Sequence, residues 1–409
     1  MRPMPPDIYA IATMDTKGDE LAYVVTLLRA GGGTCVTVDV STTGGGAYPA
    51  DVTRETVAAM HPRGASYVLE QQDRGQAVAA MSESLAQFLR CEHEAGRVSG
   101  AIGLGGSGGT ALIAPALRAL PIGLPKVIVS TVASGNTAAY IGQSDLILMP
   151  SVVDVAGLNT VSRPILANAA QAILGMVRQR TSLPTSTRPA VGLTMFGVTT
   201  PCVTAVRQSL EADGYDCLVF HATGTGGQTM ERLVAEGLIT GVIDVTTTEV
   251  ADEVVGGVFP AGPARFEAIL AARVPYVLSV GALDMVNFGA METVPPQFRD
   301  RRLHVHNSQV TLLRTTPDEN RRCARWMADK LNRSTALLQL LIPERGVSML
   351  DAPGQPFFDP KADEALFGEL ESAIEQTPAR KVRRLPHHIN DREFAAALVE
   401  AFRAAVANR

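Results

Sequence analysis

The feature that most constrains the fold is a series of short, uninterrupted apolar runs separated by stretches with helical periodicity. Residues 8–14 are almost entirely apolar, and residues 35–40 and 126–131 are rich in valine and isoleucine, as expected for strands that are buried on both faces. Helical patterns lie between them, for example at residues 20–29 and 75–92. This alternation predicts an α/β protein with a parallel sheet covered by helices on both sides.

The same order of patterns restarts after a polar, proline-containing stretch at residues 180–188. Further apolar runs follow at residues 190–195, 216–221, 241–245 and 276–280. In order and spacing, GLGGSGG of the first half corresponds to DVTTTEV of the second. We therefore predict two doubly wound, Rossmann-like parallel-sheet domains, residues 1–182 and 183–409, in a pattern compatible with an old duplication.

The last hundred residues are expected to complete the second domain. Strand patterns occur at residues 308–314, 336–342 and 381–385, and helical patterns lie between and after them. Residues 289–307 show no regular pattern and are interpreted as a long irregular loop of the kind that forms lids or interface arms.

Composition limits the classes of partner. The chain has 409 residues, 46% of them hydrophobic and 19% charged, with a net charge of -5. Nucleic acids and anionic membranes attract basic surfaces, so neither is an expected partner. The five cysteines are scattered, which argues against a disulfide framework. Because no apolar run is long enough to span a bilayer, we expect a cytoplasmic protein.

The glycine-rich sequence GLGGSGGT at residues 103–110 follows a predicted strand and opens a predicted helix. Glycines allow backbone N–H groups to approach an anion, and the helix N-terminus adds partial positive charge. The spacing fits neither a Walker A loop nor a standard dinucleotide fingerprint. A tight strand-to-helix turn is the structural alternative. The candidate phosphate-binding residues are Gly105, Gly106, Ser107, Gly108, Gly109 and Thr110.

Other polar groups follow neighbouring strands and are expected at the same edge of the sheet. Asp15, Thr16 and Lys17 end the first strand; Asp15 could orient a ribose or metal, and Lys17 could neutralise phosphate. Asp39 ends the second strand, where a ribose-binding acid is common. The alternatives are helix caps and Asx turns. The loop after the fourth strand adds further candidates: Ser130, Thr131, Ser134, Gly135 and Asn136.

The second half carries its own polar cluster after three strands. His221, Glu249 and Asp284 are predicted acid–base residues, with Lys17 of the first half as a catalytic phosphate partner. Asp244, Glu249 and Glu253 could instead hold Mg²⁺. Each residue alone could equally be a cap or turn. The predicted substrate-binding residues are Thr199, Thr200, Thr223, Gly224, Gly226, Gly227, Thr246, Thr247 and Asn287; the metal ligands stay undetermined.

Several ordered motifs resemble the Tm-1-like ATP-binding family. They include DTKG, GLGGSGGT, FGVTTP, FHATGTGG, DVTTTEVADEVVGG, GALDMVNFGAMETVP, HNSQVTLLRTTPDEN and HINDREF, and the resemblance extends over residues 7–402. It implies two α/β subdomains, binding of ATP with Mg²⁺, and a homodimer or higher homo-oligomer. We assign the implied ATP contacts to the first-half loops described above.

Three functions remain open at this point. The first is an ATP-dependent enzyme that acts on a small acidic metabolite at a site between the two domains, by chemistry such as phosphoryl or adenylyl transfer. The second is a nucleotide-independent lyase or hydrolase of a phosphorylated or keto-acid metabolite. The third is a dimeric protein-binding module that ATP only stabilises.

Overall fold

A computed structural model describes residues 7–44, 48–179 and 187–407 of the chain. The chain divides into two compact units, Met1–Leu183 and Pro184–Arg409. The predicted boundary stretch, residues 180–188, lies mainly outside the described residues.

The first unit is built on a parallel sheet. Its strands are β1 (Asp7–Ala12), β2 (Cys35–Asp39), β3 (Val98–Gly105), β4 (Lys126–Ser130) and β5 (Ile147–Pro150). They pair in the order β2-β1-β3-β4-β5. The strand order reverses direction between β1 and β3, and such a switch point is where open α/β sheets bind ligands.

Helices cover both faces of this sheet. They are α1 (Met14–Ala30), α2 (Arg54–Ala58), α3 (Ala65–Leu69), α4 (Arg74–Glu94), α5 (Ser107–Arg118), α6 (Ala138–Ile141) and α7 (Ser162–Arg178). Leu85 and Leu112 belong to the core under α4 and α5. Leu21 and Ile173 belong to the core under α1 and α7 on the other face. The predicted doubly wound architecture is therefore confirmed.

Two helices begin earlier than their apolar periodicity indicates. Helix α1 starts at Met14, although the pattern predicts a start at residue 20, and it is kinked at Lys17, whose φ and ψ are -128° and 19°. Helix α5 starts at Ser107 rather than at residue 111. The polar and glycine residues of both loops consequently form first helical turns that face the carboxyl edge of the sheet.

The main sheet of the second unit has the same strand order, extended by one strand. Its first four strands are β6 (Ala190–Met195), β7 (Asp216–His221), β8 (Gly241–Thr246) and β9 (Tyr276–Gly281), and two further strands follow later in the chain. Three short strands intervene: β10 (Met285–Phe288), β11 (Leu303–Asn307) and β12 (Val310–Arg314). The last two are β13 (Leu338–Pro343) and β14 (Arg380–Leu385). The parallel order is β14-β13-β9-β8-β6-β7.

Helices also cover both faces of the second sheet. They are α8 (Thr200–Ala212), α9 (Thr225–Ala235), α10 (Thr248–Val255), α11 (Glu267–Ala272), α12 (Pro317–Leu331), α13 (Pro360–Ala373) and α14 (Arg392–Ala407). Phe394 and Phe402 of α14 pack with α8 on one face. Met327 and Leu366 belong to the larger core on the other.

The expectation of one long irregular loop at residues 289–307 is wrong. Strand β11 occupies its end and pairs with β12, which also pairs with β10, in a small antiparallel sheet. The predicted strand at residues 308–314 thus joins this sheet and not the main one. Two 3₁₀ turns, Met291–Thr293 and Pro296–Phe298, precede β11.

Candidate functional site

A cleft of about 590 Å³ lies at the switch point of the first sheet. Elements following all five strands contribute to it. The predicted residues that line it are Asp15, Thr16, Lys17, Gly106, Ser107, Gly108, Gly109 and Thr131. The other lining residues are Thr13, Thr42, Thr43, Arg74, Val78, Leu112 and Asp154. The cleft therefore brings together the loops after β1, β3 and β4 as the sequence predicted.

The glycine loop forms the floor of the cleft and leads into α5. An added Cβ on Gly105 would lie 2.7 Å from the carbonyl carbon of Gly109 and the nitrogen of Thr110, so strand and helix approach too closely for a side chain. No side chain of the described residues caps the N-terminus of α5. The first-turn N–H groups of a helix have no intrahelical partner. Because those of α5 are also uncapped, they are available to an anion in the cleft.

Two buried hydroxyl groups support this floor from below. Thr110 Oγ1 and Ser130 Oγ lie 2.6 Å apart, and both residues are completely buried. Ser130 Oγ also accepts a hydrogen bond from the nitrogen of Val132 at 3.1 Å. These contacts tie the β3 loop to the β4 loop, so Thr110 and Ser130 position the cleft and do not line it.

The loop after β1 is held by the loop after β2. Asp39 is only 6% exposed, and its Oδ1 accepts from the nitrogens of Met14 at 3.1 Å and Ser41 at 2.9 Å. Thr43 Oγ1 donates to Asp15 Oδ2 at 2.6 Å. Asp15 Oδ1 is buried and has no hydrogen-bond partner among the described residues. Asp39 thus anchors both loops, and Asp15 keeps one oxygen free beside the cleft.

Two cations face the glycine loop. Lys17 lies at the kink of α1, and Arg74 is the first residue of α4. Arg74 Nη2 lies 3.5 Å from the position of an added Cβ on Gly108. Among the described residues, neither cation forms an ion pair with a carboxylate. Positive charge that the protein leaves uncompensated beside an uncapped helix N-terminus favours an anionic ligand.

Three predicted cofactor residues lie away from this cleft. Ser134, Gly135 and Asn136 are exposed in the loop after β4, and Asn136 Oδ1 accepts from the nitrogen of Ala138 at 3.2 Å. Sequence reasoning missed Arg74, because it comes from the crossover helix α4 and not from a strand end. Its position directly after the N-cap residue Asp73 gives no signal of ligand binding.

The corresponding edge of the second sheet is filled by its own side chains. Thr199, Thr246 and Thr247 are completely buried, and the hydroxyls of Thr199 and Thr246 lie 2.7 Å apart. Added Cβ atoms on Gly226 and Gly227 would collide with the carbonyl of His221 and with Glu249 respectively. These predicted substrate-binding residues pack against the protein itself.

Glu249 belongs to a buried ionic network around Arg265. Arg265 Nε donates to Glu249 Oε1 at 2.5 Å, and its Nη2 donates to Asp244 Oδ2 at 2.7 Å. Arg265 Nη1 also donates to Glu231 at 3.1 Å. The nitrogen of Gly224 donates to the other Glu249 oxygen at 2.8 Å. Burial raises the pKa of Glu249, against the lowering effect of Arg265.

The other predicted catalytic residues of the second unit differ in exposure. Asp284 is completely buried and accepts from Ser348 Oγ at 2.8 Å, and Asn287 is buried against Asp252. His221 is exposed, and its Nδ1 lies 3.1 Å from the carbonyl oxygen of Met195. The hydrogen bonds of Glu249 and Asp284 are therefore made within the protein. The catalytic roles of His221, Glu249 and Asp284 stay predictions.

The remaining predicted substrate residues, Thr200 and Thr223, also form hydrogen bonds within the protein. Thr200 and Thr223 are half-buried, and their hydroxyls donate to carbonyl oxygens two to four residues earlier in the chain. Within the described ranges, no group of three or more His, Cys, Asp or Glu side chains is arranged to hold a metal ion. No helix in those ranges is long and apolar enough to cross a bilayer.

Comparisons with known proteins match both units. The model of the uncharacterised protein family UPF0261 N-terminal domain covers residues 6–182, and that of the C-terminal domain covers residues 188–406. A UPF0261 protein of Rhizobium meliloti is 55% identical over 396 residues, which is 97% of this chain and 98% of that protein. A UPF0261 protein of Clostridium tetani is 42% identical over 393 residues, 96% of this chain and 97% of that protein.

A plant protein is similar over the same span. The tomato ToMV resistance protein Tm-1 is 49% identical over 417 aligned residues, which cover 97% of this chain but only 55% of the tomato protein. The similarity therefore includes both units of this chain and about half of the tomato protein.

Proposed function

The chain belongs to the uncharacterised protein family UPF0261, and we propose that its first unit binds the phosphates of ATP, with Mg²⁺, in the cleft between β1 and β3. One observation carries the proposal: Lys17 and Arg74, without carboxylate partners in the described structure, flank the uncapped N-terminus of α5. Two cations and a row of free N–H groups match the charge and hydrogen-bonding capacity of a polyphosphate.

The donor set of the cleft also fits Mg²⁺. Asp15 Oδ1 is a carboxylate oxygen without a hydrogen-bond partner in the described ranges, and Asp154 lies on the same cleft. Mg²⁺ is usually held by one or two carboxylates together with substrate phosphates, and not by a cage of protein ligands. Bound there, the ion would neutralise phosphate charge, and Asp15 is the residue best placed to hold it.

Within the part of the chain that the structure describes, only the first unit offers this arrangement at its switch point. Where the first unit has Gly105, Gly106 and Ser107, the last two of them on the cleft, the second has Thr246, Thr247 and Thr248, which are completely buried. Nucleotide binding is accordingly proposed for the first unit alone. The homodimer, the acidic substrate and the cytoplasmic location stay predictions.

Isothermal titration calorimetry with MgATP tests the proposal. Arg74→Gln removes one of the two cations, and Arg90→Gln is the matched control, because Arg90 is exposed on the same helix and contacts Gln87. We expect wild type and Arg90→Gln to bind with equal affinity. Arg74→Gln should bind about tenfold more weakly, since a charged hydrogen bond contributes about 1.5–3 kcal/mol.

A smaller phosphorylated metabolite is the second candidate ligand. The observation in its favour is that Val78 and Leu112 are the two apolar side chains of the cleft lining, which gives little apolar surface for an adenine ring. Thermal unfolding discriminates the two ligands. If glucose 6-phosphate raises the melting temperature and MgATP does not, ATP is the wrong ligand; if Arg74→Gln leaves both responses unchanged, the cleft is the wrong site.

A further inference from the structure

A second cleft lies in the second unit, at the carboxyl ends of β13 and β14. Its volume is about 650 Å³, large enough for a small organic molecule. Phe358, Pro360 and Phe367 are among its walls, so much of its surface is apolar. None of the substrate-binding residues predicted from the sequence lines it.

Asp363 is the buried polar residue in the lining of this cleft. Its side chain is 8% exposed, and its Oδ1 accepts from Arg314 Nη2 at 2.6 Å. Its Oδ2 receives no hydrogen bond from any described residue. Because Asp363 lines the cleft, this oxygen is the one available to a ligand.

Two further carboxyl groups lie behind Asp363. Asp284 and Asp351 are completely buried, and Asp351 Oδ1 is 3.6 Å from Arg314 Nη2. No described residue forms a hydrogen bond with the Oδ1 atom of either aspartate. Three carboxyl groups therefore share the single guanidinium of Arg314. Buried carboxylates in excess of their cations attract positive charge.

The rim of the cleft, like the buried cluster behind it, carries an excess of negative charge. Besides Asp363, the acidic lining residues are Glu344, Glu364 and Asp391, whereas Arg345 and Arg384 are basic; four carboxyl groups therefore stand against two guanidinium groups. Arg384 already binds Glu364 and Glu371, each at 2.7 Å.

His388 adds no free donor to the cleft. Its Nε2 donates to the carbonyl of Ser348 at 2.9 Å, and its Nδ1 accepts from the nitrogen of Asn390 at 3.1 Å. Both ring nitrogens are thus engaged. An acidic ligand would meet an excess of like charge in this cleft, whereas a cation would be attracted.

We propose that this cleft binds a small organic cation. A primary ammonium group of the ligand would pair with Asp363 Oδ2, and an apolar body would contact Phe358 and Phe367. The ion pair would form at the buried Asp363, where water is largely excluded and a charged hydrogen bond is strongest.

Binding of an ammonium group in this cleft is also coupled to the protonation of the aspartate cluster. Burial, reinforced by the neighbouring Asp351, raises the pKa of Asp363 to about 8 and that of Asp284 to about 7. At pH 7 the cluster therefore holds a proton that an ammonium group must displace. Binding should release a proton, and the affinity should increase as the pH rises from 6 to 8.

Titration of the full chain with benzylammonium at pH 7 is the test, with phenylacetate and benzyl alcohol as ligands of matched size. A ligand of so few atoms is expected to bind with a Kd on the order of 1 mM. Benzylammonium should bind at least about tenfold more tightly than either of the others, because only it can form the charged hydrogen bond.

Asp363→Asn removes the proposed partner of the ammonium group without a change of size. Glu369→Gln is its control, because Glu369 lies on the same helix but pairs with Arg325 outside the cleft. Asp363→Asn should weaken benzylammonium binding about tenfold, and Glu369→Gln should leave it unchanged. If Asp363→Asn does not fold, proton release by the wild type, measured in buffers of different ionisation enthalpy, decides the question.

Four binding results would overturn the proposal. They are no binding of benzylammonium, equal or tighter binding of phenylacetate, equal binding of benzyl alcohol, and unchanged binding by a folded Asp363→Asn variant. In the wild type, uptake of protons when benzylammonium binds, or no change in the number of bound protons, would also contradict the proposal.

Discussion

Thr43 donates a hydrogen bond to one oxygen of Asp15 at 2.6 Å, while the other oxygen of Asp15 is buried beside the cleft of the first unit without a partner among the described residues. The loop after β2 thereby fixes the carboxylate that follows β1. A carboxylate held in this way loses little conformational entropy when it takes up a cation. The arrangement is the structural reason for assigning Mg²⁺ to Asp15.

The first prediction follows from that assignment. Asp15→Asn should reduce the gain in ATP affinity that Mg²⁺ provides by about tenfold, since an amide no longer neutralises the ion. Calorimetric titrations with ATP in Mg²⁺ and in EDTA measure this gain. Asp19→Asn is the control, because Asp19 is exposed on the same helix and binds Tyr48. An unchanged ratio of the two dissociation constants in Asp15→Asn would refute the assignment.

The second prediction concerns the glycine loop. Gly105→Ala would place a Cβ 2.7 Å from the backbone of α5, so it should cost about 1–3 kcal/mol in the free energy of unfolding. Gly106→Ala has its nearest atom, Thr131 Oγ1, at 3.8 Å and should stay within about 0.5 kcal/mol of wild type. Urea unfolding compares the two variants. Equal stability would show that the strand and helix can separate there.

The third prediction concerns the buried network of the second unit. Arg265→Met leaves Asp244, Glu249 and Glu231 without their shared cation, and breaking a buried ion pair in this way costs about 3–5 kcal/mol. Arg207→Met removes an exposed pair with Glu211 and should cost at most about 0.5 kcal/mol. The same urea assay applies. A stable Arg265→Met variant would mean that the network contributes little.

The fourth prediction is a pH dependence. Burial and the neighbouring Asp351 raise the pKa of Asp284 to about 7, compared with about 3.9 in an unfolded chain. The folded state therefore binds more protons between these values, and the contribution of Asp284 to stability falls as the pH rises from about 4 to about 7. Above pH 7 its contribution is constant.

Asp284→Asn should remove this dependence, because the amide imitates the protonated acid. The slope of unfolding free energy against pH should become less negative in the variant, by up to about 1.4 kcal/mol per pH unit. Urea titrations from pH 5 to pH 8 measure the slope. A wild type and variant with parallel pH profiles would place the titration elsewhere.

Much of the fold follows from the apolar patterns of the sequence. Runs such as β3 and β8 are buried along their whole length, and a parallel sheet with helices on both faces is the structure that buries them. The short strands β10 and β11 were not predicted. Each pairs with β12 over only four or five residues, and such pairing depends on contacts that local periodicity does not record.

The candidate site was predictable where its residues follow strands. Asp15 and Lys17 lie after β1, and Gly106 lies after β3, as expected for the ligand edge of an α/β sheet. Arg74 was not predictable, because the segment between β2 and β3 brings it to the cleft through tertiary packing. The burial of Glu249 was equally hidden, since its partner Arg265 is sixteen residues away and lies in no recognisable motif.

The most direct test of the central claim is a crystal structure of the chain with MgATP or a non-hydrolysable analogue. The phosphates are predicted to lie against the first-turn N–H groups of α5, with Lys17 and Arg74 on either side and the metal ion beside Asp15. Nucleotide density at any other place in the chain, with this cleft empty, would contradict the account.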